Sequence, residues 1–312
     1  MTARRTVAAA MLAALAILPG CGERKEATAP KTDVTLRVAL SPLNSGENAF
    51  FAAQREGYFN DAGLKVEPRI VADGATAIAE VIDGKADLAV STEPDLIEAR
   101  AVGPSVVSVA TLVQHPLTSL IGPKLSLTTL AIFATKPIGT SGLDYQRAFA
   151  DTIFRKAGGR ARVVDVGARP LIALQRKKVA AVIAQNGSGP LPAGTVAIPV
   201  DRLGVPTFAE FVLVANQEAV TRDADAIRSF IGALARGTRS LASANAMGHV
   251  IKMKGPEIAR ARALMLPPRG RPYGWHEAGQ WRAFAAWMRA NRLPQNQSAG
   301  AFTNSLLPGE GP

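Results

Sequence analysis

Four acidic residues, Glu47, Glu93, Asp144 and Glu210, lie among turn-forming or apolar neighbours, and the segments 41–48, 72–76, 91–93 and 140–144 contain no lysine or arginine. A carboxylate accepts hydrogen bonds, so it suits ring N–H and amino groups, whereas a sulfonate or nitrate needs donors and positive charge. The chemistry therefore points to an uncharged or amino-bearing small molecule. The same acids also fit the first turn of a helix, where they cap N–H groups and meet the dipole. For Glu47 and Asp144 both readings stand. Thr140-Ser141-Gly142 and Gly74 to Thr76 carry a similar ambiguity, because backbone N–H groups at a helix start can cradle a ligand or simply be capped. Catalytic patterns are missing. His115, His249 and His276 are far apart in the chain and show no serine or cysteine nucleophile pattern, and Asn186-Gly187-Ser188-Gly189-Pro190 lacks the lysine and hydroxyl of a phosphate loop. We expect no catalytic residue, no cofactor and no metal.

Elements that could position these residues follow from periodicity. Val34 to Ala39 alternates like a strand, a helix runs from about Glu47 to Glu56, and Leu64 to Val71 forms the next strand. A helix from about Thr76 to Ile82 leads to a strand at Ala86 to Val90. The same grammar restarts at Leu130 to Ala134 and Pro137 to Gly139, with a helix at Tyr145 to Ala157, a strand at Ala161 to Val166, a helix at Arg169 to Gln175 and a strand at Val179 to Ala184. Segments 224–243, 258–265 and 277–290 read as helical. Alternating strands and helices predict an α/β fold with parallel sheets and crossover helices. Ligands of such sheets bind beyond the carboxyl ends of the strands. That rule selects Ser41, Asn44, Glu47, Asn48, Gly74, Thr76, Thr92, Glu93, Thr140, Ser141, Gly142 and Asp144 as candidate contacts.

The amino terminus reads as a targeting segment. Arg4 and Arg5 precede an apolar run from Ala8 to Pro19, too short for the roughly 20 residues that span a bilayer. Leu18-Pro19-Gly20-Cys21 resembles a bacterial lipobox, which would make Cys21 a lipidation site, and residues 22–33 read as a flexible tether. An ordinary signal peptide with an incidental cysteine is the alternative. The 36 Lys and Arg against 25 Asp and Glu give a net charge of +11, or +9 without the two leader arginines. The basic residues read as scattered, with small groups at Arg176-Lys177-Lys178 and Arg269 to Arg271, and lack interleaved aromatics, which argues against nucleic acid and for a diffuse basic surface near anionic lipid.

Gly57 to Glu67 (GYFNDAGLKVE) and Asp83 to Gly103 (DGKADLAVSTEPDLIEARAVG) resemble solute-binding proteins of ABC importers, in the type II periplasmic binding protein family of sulfonate, nitrate and thiamine-pyrimidine binders. Val106 to Gly122, Gly204 to Asn216 and Trp281 to Gly309 are similar to the branch that binds hydroxymethylpyrimidine-type thiamine precursors. The likeness runs from about Val34 to Gly309. It implies a two-lobed Venus-flytrap with mostly parallel sheets: residues 1–20 a signal peptide, 21–33 a lipidated tether, 34–114 plus 213–312 lobe one, and 115–212 lobe two. Two crossing strands would act as the hinge, which brings in Gln114 and Glu210 as ligand contacts. The resemblance implies a monomer on the extracytoplasmic face that hands a small molecule to a membrane permease and its ATPase. Where that branch carries Trp and His, this chain has Ser41 and Glu47, and Ser41 cannot stack on a pyrimidine. A sulfonate or nitrate binder, a pyrimidine-related enzyme and a ligand-presenting sensor are the alternatives.

Overall fold

The computed structural model describes residues 34–41, 48–103, 106–123, 130, 133, 135–186, 190–241, 263–294 and 300–309. Those from 34 onward belong to one compact unit. The expected positions Cys21, Asn44 and Glu47 lie outside the described residues, as does the side chain of Asn48.

In chain order the first elements are β1 (Val34–Leu40), α1 (Asn48–Arg55), α2 (Tyr58–Asp61), β2 (Leu64–Ile70), α3 (Gly74–Ile82), β3 (Leu88–Ser91), α4 (Glu93–Ala101) and β4 (Val106–Val113). The second group is β5 (Thr118–Pro123), β6 (Pro137–Thr140), α5 (Asp144–Lys156), β7 (Arg162–Asp165), α6 (Pro170–Gln175), β8 (Ala181–Gln185) and β9 (Thr195–Pro199). After these come β10 (Phe211–Asn216), α7 (Gln217–Arg222), α8 (Ala224–Ser240) and α9 (Ala278–Ala290). They build two five-stranded sheets, ordered β2-β1-β3-β10-β4 and β7-β6-β8-β5-β9. This is the expected two-lobed α/β architecture. Each sheet is mostly parallel, as expected, with four of its five strands running one way and a single strand, β10 in the first and β5 in the second, running against them. β1 pairs in parallel with β2 and β3, and β6 with β7 and β8. By contrast β10 runs antiparallel to β3 and β4, and β5 antiparallel to β8 and β9. The βαβ rule governs strands joined by crossover helices, while β5 and β10 enter their sheets straight from the other one.

Strand alternation divides the core. Leu36, Val38 and Leu40 of β1 face a cluster with Phe50, Phe59 and Phe230 from α1, α2 and α8, and Ala39 faces the opposite cluster with Ile78 and Trp281. The rings of Phe59 and Phe230 stack 4.9 Å apart. In the second sheet Leu120, Ile138 and Ile183 pack on Phe149 and Phe154 of α5, while Ile121 and Val182 pack on Ala173 and Leu174 of α6. Helix α9 serves both sheets: Trp281 enters the first-sheet core and Phe284, Ala285 and Met288 enter the second.

Candidate ligand-binding site

Between the two sheets lies a cavity of about 200 Å³ whose wall is drawn from both. Ser41, 7% exposed, directly follows β1, and β3 leads into the cap of α4. There Thr92 accepts a hydrogen bond from the Asp95 N–H (3.1 Å) and donates its hydroxyl to Asp95 Oδ2 (2.8 Å). The Thr-x-x-Asp spacing is that of a capping box, but here the Asp95 carboxylate accepts from the Thr92 hydroxyl. Ser91 donates more weakly to the same oxygen, at 3.4 Å. Burial raises the Asp95 carboxyl to about 6, against hydrogen bonds from Thr92, Tyr145 and Ser91 that favour its charge. Tyr145, from α5 on the second sheet, is therefore tied to Asp95, from α4 on the first. Its phenol is pushed well above its ordinary range, by burial first and then by the nearby carboxylates.

Gly74 opens α3 against this same carboxylate. A Cβ there would collide with Asp95 Oδ2 and with the Ser91 hydroxyl. Asp73 caps the helix by accepting from the Thr76 N–H at 2.8 Å, and it too lines the cavity.

Glu210 stands just before β10, 1% exposed. Its Oε2 accepts from the N–H groups of Leu117 (2.8 Å) and Thr118 (2.9 Å), and its Oε1 accepts from the Thr118 hydroxyl (2.9 Å) and from Gln185 Nε2. Burial raises its pKa, and these donors oppose that shift by favouring the anion. The carboxylate thus joins the segment entering β10 to the start of β5 and the end of β8. Both crossings between the sheets meet at this one side chain.

Of the expected contacts, the structure brings Ser41, Gly74, Thr92, Ser141 and Glu210 into the cavity wall. Ser141 is held by its N–H and hydroxyl donating to Gln146 Oε1, at 2.9 and 2.8 Å. Thr76, Glu93, Gln114, Thr140, Gly142 and Asp144 lie elsewhere. Glu93 is fully buried behind the wall, where Oε2 accepts from the Ala209 N–H at 2.6 Å and Oε1 has no hydrogen-bond partner among the described residues, and burial lifts its carboxyl to about 8. Gln114 turns to the carboxy-terminal segment, donating to the Trp275 carbonyl at 2.9 Å and accepting from Gln280 at 3.1 Å. Thr140 is buried beneath the Ser141 turn, Gly142 (φ +90°) abuts Asp165, and Asp144 is exposed at the start of α5. Sequence reasoning missed Asp73, Asp95, Tyr145, Gln146, Phe208 and Phe211. Asp95 was visible only as the fourth residue of a capping box. Among the described residues, the cavity wall holds three carboxylates and three aromatic rings, and no lysine, arginine or histidine.

A serine–histidine array also emerges that spacing could not reveal. Ser108 Oγ lies 2.7 Å from His276 Nε2, and His276 Nδ1 lies 2.8 Å from Asn304 Oδ1. Ser108 and His276 are fully buried and neither lines the cavity. With the ring stacked 5.0 Å from Phe302, the array fastens the carboxy-terminal segment to β4.

Several known proteins are similar to this chain. A Haemophilus influenzae protein named for thiamine biosynthesis is 31% identical over 190 residues, 57% of this chain; the match spans 60% of that relative's length. The formylaminopyrimidine-binding protein of Halalkalibacterium halodurans is 23% identical over 307 residues, covering 90% of this chain and 92% of its own. The zinc-bound ligand-binding component of an ABC-type import system from Staphylococcus aureus superposes with a TM-score of 0.67 at 10% identity, over 88% of this chain and 98% of that one. The family model described as NMT1/THI5 like matches residues 44–244, which takes in every cavity residue but Ser41. On that match and the two-sheet fold around the cavity, the chain belongs to the NMT1/THI5-like family.

Proposed function

We propose that this protein is the extracytoplasmic solute-binding component of an ABC importer, and that it captures a small nitrogenous heterocycle of the thiamine pyrimidine-precursor kind for delivery to a permease. The observation that carries the reading is the composition of the cavity wall. Asp73, Asp95 and Glu210 supply acceptors, Tyr145, Phe208 and Phe211 supply aromatic surface, and among the described residues no basic side chain lines the wall to hold an anion. A volume of about 200 Å³ is below the ~300–1,000 Å³ of pockets for drug-sized ligands and suits a single ring. The aromatic surface that Ser41 cannot offer is available from these three rings. The named ligand of the Halalkalibacterium relative supports the same class.

In this reading residues 34–114 and 213–312 form lobe one and 115–212 lobe two, Glu210 sits at the hinge, and ligand closes the lobes by selecting the bound arrangement. Residues 1–20 are a signal peptide and Cys21 carries a lipid. In this reading the protein binds and releases its ligand unchanged, and Ser108 and His276, both buried, stand outside the cavity wall.

The test is a thermal-shift series on the chain from Gly22, with hydroxymethylpyrimidine, its formylamino relative, thiamine, taurine, an alkanesulfonate and nitrate. Ligand at 100 times its Kd adds about 2.7 kcal/mol. A shift of a few degrees with the pyrimidines, reduced in Asp95→Asn, is the expected result. A shift with sulfonates or nitrate alone would overturn the reading.

A further inference from the structure

The charge is not diffuse. Residues 115–209, which run from the first crossing to the second, hold twelve Lys and Arg against four Asp and Glu, so +8 of the chain's +11 resides there. Residues 34–114 and 210–312 together net only +1. The expectation of a scattered basic surface is corrected accordingly.

Within that region the excess gathers at the β7 edge of the second sheet. Arg160, Arg162, Arg169, Arg176, Lys177 and Lys178 are all exposed. None forms an ion pair among the described residues, whereas all eight described ion pairs join residues of 34–103 or 211–241. The one acid between residues 160 and 178, Asp165, accepts from the Gly167 N–H at 2.8 Å. Arg169, Arg176 and Lys178 share a concavity of about 400 Å³, and Arg169 and Ile172 line an adjoining groove of about 460 Å³ bounded by Pro190 and Pro192. Ile172 and Leu191 stand out at 37% and 36% exposure. Ala168 and Pro170 line both this groove and the ligand cavity.

We infer that this face docks on an anionic phospholipid surface and so holds the ligand cleft beside the membrane. Basic side chains near an anionic leaflet are each attracted to it within a Debye length, and exposed aliphatics add shallow insertion. A protein partner of ordinary interface size would need about 800 Å² of shaped surface around an apolar centre. Here the apolar part is two aliphatic side chains and some prolines, and the cations are irregularly spaced on flexible stems. Fluid headgroups can rearrange to meet such an array. The inference does not depend on the ligand's identity.

Co-sedimentation of the chain from Gly22 with vesicles of phosphatidylcholine alone, or with 30% phosphatidylglycerol, tests it. Binding is expected only with the anionic lipid and is lost at high salt. Arg169→Gln/Arg176→Gln/Lys178→Gln should weaken it about 100-fold, while Arg222→Gln/Arg228→Gln/Arg282→Gln, an equal charge change on other elements, should leave it within about threefold. Equal loss in both triples would mean that net charge alone is felt, and would overturn the assignment. Indifference to phosphatidylglycerol would also overturn it, and a permease complex weakened by the first triple would then assign the face to a protein. Unchanged melting temperatures in both triples establish that folding is not what is read.

Discussion

Asp95 is the side chain on which the site turns, because it is buried in the cavity wall and shared between Thr92 on one lobe and Tyr145 on the other. Asp95→Asn keeps the shape and removes the charge. It should weaken binding of the proposed pyrimidine ligand about 10–100-fold, the loss of a charge-assisted bond, with little change in melting temperature; isothermal titration checks both affinity and stoichiometry. Glu93 differs in kind, since it lies behind the wall with one oxygen unpartnered among the described residues. Its pKa is raised from 4.5 to about 8, so the folded state keeps a proton that the unfolded chain releases. The stability this gives is complete below pH 4.5 and is lost as pH rises through about 8. Glu93→Gln should therefore be more stable than the parent above pH 8, with a flatter curve of urea-unfolding free energy against pH, and should bind ligand unchanged.

At the scale of elements, the crossings between the sheets depend on one buried carboxylate. Glu210→Ala strips four donors of their acceptor, and two of these are backbone N–H groups at the start of β5. Leaving buried donors unmet costs about 1–3 kcal/mol each, so this variant should lose stability even without ligand, and chemical denaturation of the apo protein reads it. A loss of binding in Glu210→Ala is consequently no proof of ligand contact, whereas Asp95→Asn gives a direct test. Helix pairing sets a second constraint. Gly237 of α8 faces α1 so closely that a Cβ would strike the Ala49 carbonyl and the Ala53 backbone. Gly237→Ala should cost about 1–3 kcal/mol through overpacking, despite the better helix propensity of alanine.

For the whole molecule, His276 fastens the carboxy-terminal segment to β4 in its neutral form. Burial lowers its pKa from 6.5 to about 4, so the unfolded chain takes up the proton first, and the associated stability is present above pH 6.5 and lost as pH falls towards 4. Thermal melts of the ligand-free protein from pH 7 to pH 4 should show this acid limb. Much of this protein was legible beforehand. Period-two and helical patterns marked the βαβ units, and turn residues marked the loops that reach the cleft, because those signals are local. Ser41, Gly74, Thr92 and Ser141 follow from that rule alone. What spacing could not supply were contacts between distant segments: Asp95 reads as a cap until Tyr145, 50 residues on, is brought against it. Glu93 and Gln114 read as cleft residues until their partners Ala209 and Trp275 draw them away. The sequence by itself determined the family, the two α/β units and the acidic character of the loops. Only the tertiary structure decided which acids face the cavity, because burial and hydrogen-bond partners come from segments about 50 to 160 residues apart.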